Sequence, residues 1–158
     1  MGIAAFDARL LSYVAPSRGP LQLERLREAV FDRLPGELES DLAGVLRELG
    51  VRHPRRAMLL VVSDVADPLS VEAQRLALGA AGRQHSVVFA GLDDPEVREA
   101  AAAGGGDPGL RAAALELVRE REVGLRELRR AGVRVLDALP AESAAPLLAA
   151  WLEMRRSG

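Results

Sequence analysis

Two aspartates that follow the most apolar stretch of the chain are the residues best placed to do chemistry. The apolar run from Met58 to Ser63 is followed directly by Asp64 and then by Asp67. Ligands of open α/β sheets bind just beyond the carboxyl ends of the strands. Carboxylate oxygens at that edge suit Mg²⁺ or Ca²⁺. The pattern therefore predicts a binding site at Asp64 and Asp67, with Asp64 as the metal ligand.

Other polar residues extend this predicted rim. Asp7, Asp93 and Asp137 each follow an apolar run, and their carboxylates would share one edge if the strands point the same way. The loop that holds Ser40 and Asp41 is expected to reach the same edge, so both are predicted binding residues. A competing interpretation is that the strand-end aspartates form turns and helix N-caps, because an Asp side chain accepts backbone N–H groups.

Strands alternate with helices along the chain, and this order would position the rim. The apolar spacing predicts a hairpin from segments 2–6 and 10–15, strands at 58–63, 86–92 and 133–136, and helices at 21–34, 41–49, 69–81, 95–103, 110–131 and 144–156. Ser40 is the predicted N-cap of the second helix. This alternation implies a parallel sheet with right-handed crossovers. We therefore predict a doubly wound α/β fold in a single domain, residues 1–158.

The same spacing assigns the inward faces. The strand at 58–63 is apolar at nearly every position, which predicts that both of its faces are covered. The predicted inner stripe of the helix at 110–131 consists of Leu110, Ala114, Leu117, Val118, Leu125 and Leu128. The predicted inward residues of the last helix are Leu147, Leu148, Trp151 and Leu152.

Composition excludes several classes of partner and site. The net charge is −2, which argues against a general nucleic-acid binder, and no cysteine is present for a disulfide or a thiolate metal site. No apolar run reaches the roughly 18 residues of a membrane span. The first residues lack a signal-peptide pattern. The expectation is a cytoplasmic protein without a membrane span.

Several ordered segments resemble a known family. They are Val61 to Pro68, His85 to Val88, Arg130 to Pro140, Gly2 to Asp7 and Leu26 to Leu34. Together they look like the domain of unknown function 58 proteins, which are similar to the von Willebrand factor A domain and often accompany MoxR-type AAA+ ATPases. The resemblance covers nearly the whole chain. It implies a Rossmann-like fold, a protein-binding role and an AAA+ ATPase as partner.

The resemblance also implies a degenerate metal-ion-dependent adhesion site. Such a site takes an Asp-x-Ser-x-Ser turn after the first strand, a Thr from a later loop and an Asp after the fourth strand. Asp64 matches the last of these. The chain has no Thr, so Ser40 or Asp41 would occupy that loop, and the Asp-x-Ser-x-Ser turn is missing. The resemblance therefore implies Mg²⁺ as the candidate cofactor, with Asp64 as its matching ligand.

By the same resemblance, the chain begins after the first strand and helix of the family. That strand is central in the sheet, and each buried backbone group left unpaired by its absence costs about 1–3 kcal/mol. Three solutions are open. The two neighbouring strands pair directly, another copy donates or exchanges a strand in a homodimer, or the chain is a fragment.

The favoured hypothesis is a protein-interaction module without enzymatic activity. The alternative is a metal-assisted phosphohydrolase that uses Asp64 and Asp67, although their spacing lacks a Thr or Lys partner. His53 and His85 are predicted at the opposite end of the sheet from the rim, where a catalytic or metal role is not expected.

Overall fold

The computed structural model describes residues 1–31, 36, 40–63, 68–104, 107–138 and 144–156. The chain divides into two compact units, Met1–Pro54 and Arg55–Gly158. The first unit holds β1 (Ile3–Phe6), β2 (Leu10–Val14), α1 (Leu21–Phe31) and α2 (Leu42–Arg52). The second holds β3 (Met58–Ser63), α3 (Pro68–Gly82), β4 (Ser86–Leu92), α4 (Pro95–Ala102), α5 (Pro108–Arg130), β5 (Arg134–Ala138) and α6 (Ala144–Arg156). The single domain stays a prediction.

The first unit begins with the predicted hairpin. Strands β1 and β2 pair antiparallel, with a register shift between Ala5 and Phe6. The turn contains no glycine, and Asp7 closes it by accepting the Arg9 N–H at 3.0 Å from Oδ1. An aspartate side chain makes such a turn because it can bond to the backbone two residues later. The hairpin prediction is confirmed, and Asp7 has the turn role of the competing interpretation.

Helix α1 is fastened to this hairpin by side-chain hydrogen bonds. The Ser12 hydroxyl donates to the Ala29 carbonyl at 2.8 Å. The buried Gln22 amide donates to the carbonyls of Met1 at 2.7 Å and Ala15 at 3.0 Å. The Gln22 bonds satisfy two backbone carbonyls at the open end of the hairpin, where Ile3 pairs with Val14.

Helix α2 has a different cap from the predicted one. Asp41, rather than Ser40, is the N-cap, and its Oδ1 accepts the Gly44 N–H at 2.8 Å. A carboxylate has an advantage over a hydroxyl here, because its negative charge also interacts favourably with the helix N-terminus. The Asp41 N–H donates to the Asp7 carbonyl at 3.0 Å. The helix runs to Arg52, beyond its predicted end.

The second unit contains a three-stranded parallel sheet in the order β3-β4-β5. Strand β4 is central, and Val88, Phe89 and Ala90 are at most 3% exposed. An apolar strand of this kind is buried on both faces because parallel sheets are normally covered by helices. The α/β class is confirmed, with six helices among the described residues.

Helix α5 packs on one face of the sheet at Gly91. A Cβ atom added there would lie 2.8 Å from Cδ2 of Leu125. Gly91 pairs with Ser63 in the sheet, so Ser63 and Val61 share this face. The absence of a side chain at Gly91 therefore sets how closely α5 approaches β4.

The other face is covered over β4 but open over β3. Leu60 and Val62 lie on the face opposite α5, and they are 41% and 43% exposed. The prediction that both faces of this strand are covered is wrong. Helix α6 contacts β4 and β5, whereas β3 lies at the edge of the sheet.

The predicted inner stripes of two helices are partly wrong. In α5, Leu110 and Leu117 are 61% and 48% exposed, while Ala114, Leu125 and Leu128 are buried. Helix α5 has 23 residues and spans about 35 Å, whereas the 7 residues of β4 span about 23 Å. One end of the helix therefore extends past the sheet.

Helix α6 buries a smaller side chain than the sequence predicts. Ala150 is 3% exposed, whereas Leu148, Trp151 and Leu152 are each more than a third exposed. A small residue at the contact lets a helix approach a sheet closely. Among the described residues, no helix combines the length and apolarity that crossing a bilayer needs.

Candidate functional site

The carboxyl ends of β4 and β5 meet around one arginine, Arg121 of α5. Its Nη2 donates to the Gly91 carbonyl at 2.9 Å and to Asp137 Oδ1 at 2.8 Å. Its Nε donates to the Leu92 carbonyl at 3.3 Å and lies 3.5 Å from Asp93 Oδ1. The planar guanidinium holds its donors in a fixed fork, so it bonds several acceptors at once. Arg121 therefore joins the ends of two neighbouring strands.

The sequence places Arg121 there by helical spacing. Ala114, Arg121, Leu125 and Leu128 follow one another at intervals that keep them on one face of α5. All four are buried. A Cβ atom at Gly91 would lie 3.6 Å from Nη2 of Arg121, so this glycine leaves room for both the helix and its arginine.

A second arginine completes what we call the carboxyl-end network: Asp93, Arg98, Arg121 and Asp137. The Arg98 Nε donates to Asp93 Oδ2. This hydrogen bond raises the pKa of the Arg98 guanidinium above its ordinary value. The exposed fractions of the side chains are 4% for Asp93, 10% for Arg121, 34% for Asp137 and 53% for Arg98.

The charges of the carboxyl-end network cancel. Two aspartates face two arginines, so the group is neutral when all four side chains are ionised. Removing one member of a buried pair leaves an uncompensated charge, which is costly. Arginine donors occupy Oδ2 of Asp93 and Oδ1 of Asp137, and a cation bound to either oxygen would have to compete with an arginine. In the part of the chain that the structure describes, no group of three or more acidic or histidine side chains has a metal-binding arrangement.

The predicted site residues have different positions. Asp64 and Asp67 lie outside the described residues, so the metal site and the phosphohydrolase alternative stay predictions. Ser40 is exposed, and Asp41 directs one carboxylate oxygen to its own helix, as described above. Both belong to the first unit.

The structure brings two of the predicted strand-end aspartates together through a residue that the sequence analysis missed. Asp93 and Asp137 both lie beside Arg121, and neither is the cap of a helix. Asp94 is instead the N-cap of α4, with Oδ1 accepting the Glu96 N–H at 2.9 Å. A charged residue on an otherwise apolar stripe was the available signal, because such residues are almost never buried without a partner.

The comparison with protein families gives one match. The family model described as Protein of unknown function DUF58 matches residues 1–135. The chain belongs to this family. No curated protein and no solved structure matches the chain. The DUF58 membership confirms the family predicted from the ordered segments, while the likeness to von Willebrand factor A domains and the MoxR association stay predictions.

Proposed function

We propose that this DUF58-family chain is a protein-interaction module of the von Willebrand factor A type, with a Rossmann-like fold, and that its partner docks along β3. The partner in this proposal is a MoxR-type AAA+ ATPase, which the family resemblance implies. The open apolar side of β3 is the observation that carries the proposal.

Strand β3 has the composition of an interior strand and the position of an edge strand. It pairs with β4 on one side, and no described strand pairs with its other side. Natural edge strands are usually protected by charges, prolines or bulges. Met58–Ser63 contains no charged residue and no proline, and its register with β4 is regular. Such an edge is suited to accepting an extended segment of another protein, which forms main-chain hydrogen bonds with it.

The side chains of β3 add an apolar contact to these main-chain bonds. Leu60 and Val62 alternate along the strand, so they project from the same face. Both are about two-fifths exposed. Covering the exposed part of each would contribute about 1 kcal/mol, because full burial of such a side chain is worth about 1.5–3 kcal/mol.

Two of the proposed rim residues, Asp64 and Asp67, follow β3 in the sequence. Asp64 directly follows β3, and Asp67, Ser40 and Asp41 are the other proposed binding residues. The role of Asp41 is limited to its second carboxylate oxygen, since Oδ1 accepts the Gly44 N–H. A bound Mg²⁺ at Asp64 would take an oxygen from the partner, as such hard cations prefer oxygen ligands.

The proposal is tested by measuring the binding of a MoxR-type AAA+ ATPase to the immobilised chain. We expect Val62→Lys to weaken binding about tenfold or more, because it places a charge in the apolar contact. Leu76→Lys is the matched control, because Leu76 is 58% exposed on α3. Equal binding by the wild type and Val62→Lys would refute docking along β3.

The rim is tested separately with Asp64→Ala, assayed with and without Mg²⁺. We expect weaker binding of the ATPase while the circular dichroism spectrum is unchanged. A Mg²⁺ dependence that disappears in Asp64→Ala supports the metal at this residue. An unchanged affinity in both conditions would remove the rim from the proposal and leave docking along β3 in place.

Strand exchange between two copies is distinguished by the mass in solution. A dimer in sedimentation velocity that Val62→Lys converts to a monomer would show that a second copy occupies β3. A wild-type monomer that binds the ATPase supports the proposed partner instead.

A further inference from the structure

The opposite end of the same sheet holds an open cleft with a volume of about 1040 Å³. Its walls come from the first residues of β3, β4 and β5, the last turns of α3, and α6. We call it the amino-end cleft. Ligand sites in proteins commonly have volumes of about 300–1,000 Å³. The cleft is therefore large enough to hold most of a nucleotide-sized molecule.

The amino-end cleft is positively charged. Arg56, Arg83 and Arg134 line it, and no carboxylate does so among the described residues. Arg134 is paired with Glu153. The side chains of Arg56 and Arg83 make no ion pair or hydrogen bond within the part of the chain that the structure describes. A chain whose net charge is −2 thus has two unneutralised guanidinium groups in one concavity.

Helix ends reduce this charge without cancelling it. Helices α3 and α5 end beside the cleft, and a helix C-terminus carries roughly half a negative charge. Two such ends offset about one of the two positive charges. The remainder attracts an anion. Guanidinium groups are well suited to phosphate because they present parallel N–H donors to its oxygens.

A tryptophan and a buried histidine also line the amino-end cleft. Trp151 lines the amino-end cleft and is 38% exposed. Indole rings stack on planar groups and on cations. His85 is 7% exposed, and its Nδ1 accepts the Ala57 N–H at 3.2 Å. This bond, together with Ser86 N–H donating to the Ala57 carbonyl at 2.9 Å, fixes the start of β3 against β4.

The geometry points to the amino-end cleft as a binding site for a phosphorylated ligand with a planar ring, of the nucleotide class. Arg56 and Arg83 bind the phosphate groups, and Trp151 stacks on the ring. Met58 of β3 lines the amino-end cleft, but the residues that bind the ligand, Arg56, Arg83 and Trp151, are not among those proposed for partner binding.

The test uses the full chain and ADP without added metal. Trp151 is the single tryptophan, so its fluorescence reports on the cleft when excited at wavelengths that adenine does not absorb. We expect saturable quenching by ADP, confirmed by isothermal titration calorimetry. Arg83→Gln and Arg56→Gln should each weaken ADP binding about tenfold, as expected for the loss of a charge-assisted hydrogen bond.

Two further variants separate a specific site from general attraction. Arg119→Gln is the matched control, because Arg119 is an exposed arginine of α5 that does not line the cleft. Gly79→Leu places a bulky apolar side chain on the wall of the cleft and keeps every charge. A Cβ atom at Gly79 meets nothing within 4 Å, so this variant should fold and bind ADP more weakly.

Three results would overturn the inference. The first is the absence of saturable ADP binding, and the second is an equal loss of affinity in Arg119→Gln. The third is equal affinity for inorganic tripolyphosphate and ADP, which would show that the ring makes no contribution and would exclude the nucleotide class.

Discussion

The two ends of the β3-β4-β5 sheet use arginine in opposite ways. At the carboxyl ends, Arg121 is buried and surrounded by acceptors from Asp93, Asp137 and two backbone carbonyls. At the amino ends, Arg56 and Arg83 are exposed and make no side-chain bond among the described residues. The same residue type therefore holds strands together at one end and is available to a ligand at the other. Partners and burial, rather than residue type, decide which role an arginine has.

The strongest test of this contrast is Arg121→Ala at the carboxyl end. Its removal leaves the buried Asp93 and the half-buried Asp137 without their shared partner, so we expect a loss of about 3–5 kcal/mol in the free energy of unfolding. Urea unfolding followed by the fluorescence of Trp151 measures this in the second unit. Arg119→Ala on the same helix is the control, with an expected change within about 0.5 kcal/mol. Similar midpoints for the two variants would contradict a structural role for the network.

The second prediction concerns the approach of α5 to the sheet. Gly91→Ala should destabilise the second unit by about 1–3 kcal/mol, because extra atoms in a packed core force strain. Gly79→Ala, at the open end, should instead stabilise it by up to about 1 kcal/mol through helix propensity. Thermal unfolding by circular dichroism ranks the two variants. A tolerated Gly91→Ala would mean that α5 can shift without loss.

A smaller effect is expected from Arg98→Ala, at the exposed side of the carboxyl-end network. Arg98 is about half exposed and Asp93 keeps Arg121 nearby, so the expected loss is below about 1 kcal/mol. The same urea experiment applies. A loss as large as that of Arg121→Ala would show that Arg98 is the main partner of Asp93.

The smallest change in stability is expected from Arg83→Gln at the amino end. Because this side chain makes no described bond, the free energy of unfolding should change by no more than about 0.5 kcal/mol. ADP affinity should nevertheless fall as stated above. A large loss of stability would show that Arg83 has a structural role, as Arg121 does, and would contradict the difference between the two ends of the sheet.

The periodic elements of this chain are predictable from the sequence. Strands β3 and β4 have the predicted bounds, because their apolar runs are bounded by polar or turn residues on both sides. Helix α6 also has its predicted bounds. Boundaries were wrong where two caps compete, as at Ser40 and Asp41, since either residue type can accept the first helical N–H groups.

Burial was harder to predict than secondary structure. The apolar sequence of β3 gives no sign that Leu60 and Val62 lie at an uncovered edge, because this depends on where α6 packs. Likewise, the role of Asp93 depends on Arg121, which lies on α5 within the crossover from β4 to β5, next to Gly91. Such contacts arise from tertiary structure, and single-sequence periodicity does not contain them.

The strand order has a consequence for how the protein forms during synthesis. The three strands stand in space as they stand in the chain, so each can join its predecessor as it leaves the ribosome. A nascent chain that ends within α5 already has the β3-α3-β4 unit, but it lacks Asp137 and the rest of β5. We expect a protease to digest such an intermediate readily. Resistance should appear only when β5 has emerged and Asp137 has formed its hydrogen bond with Arg121.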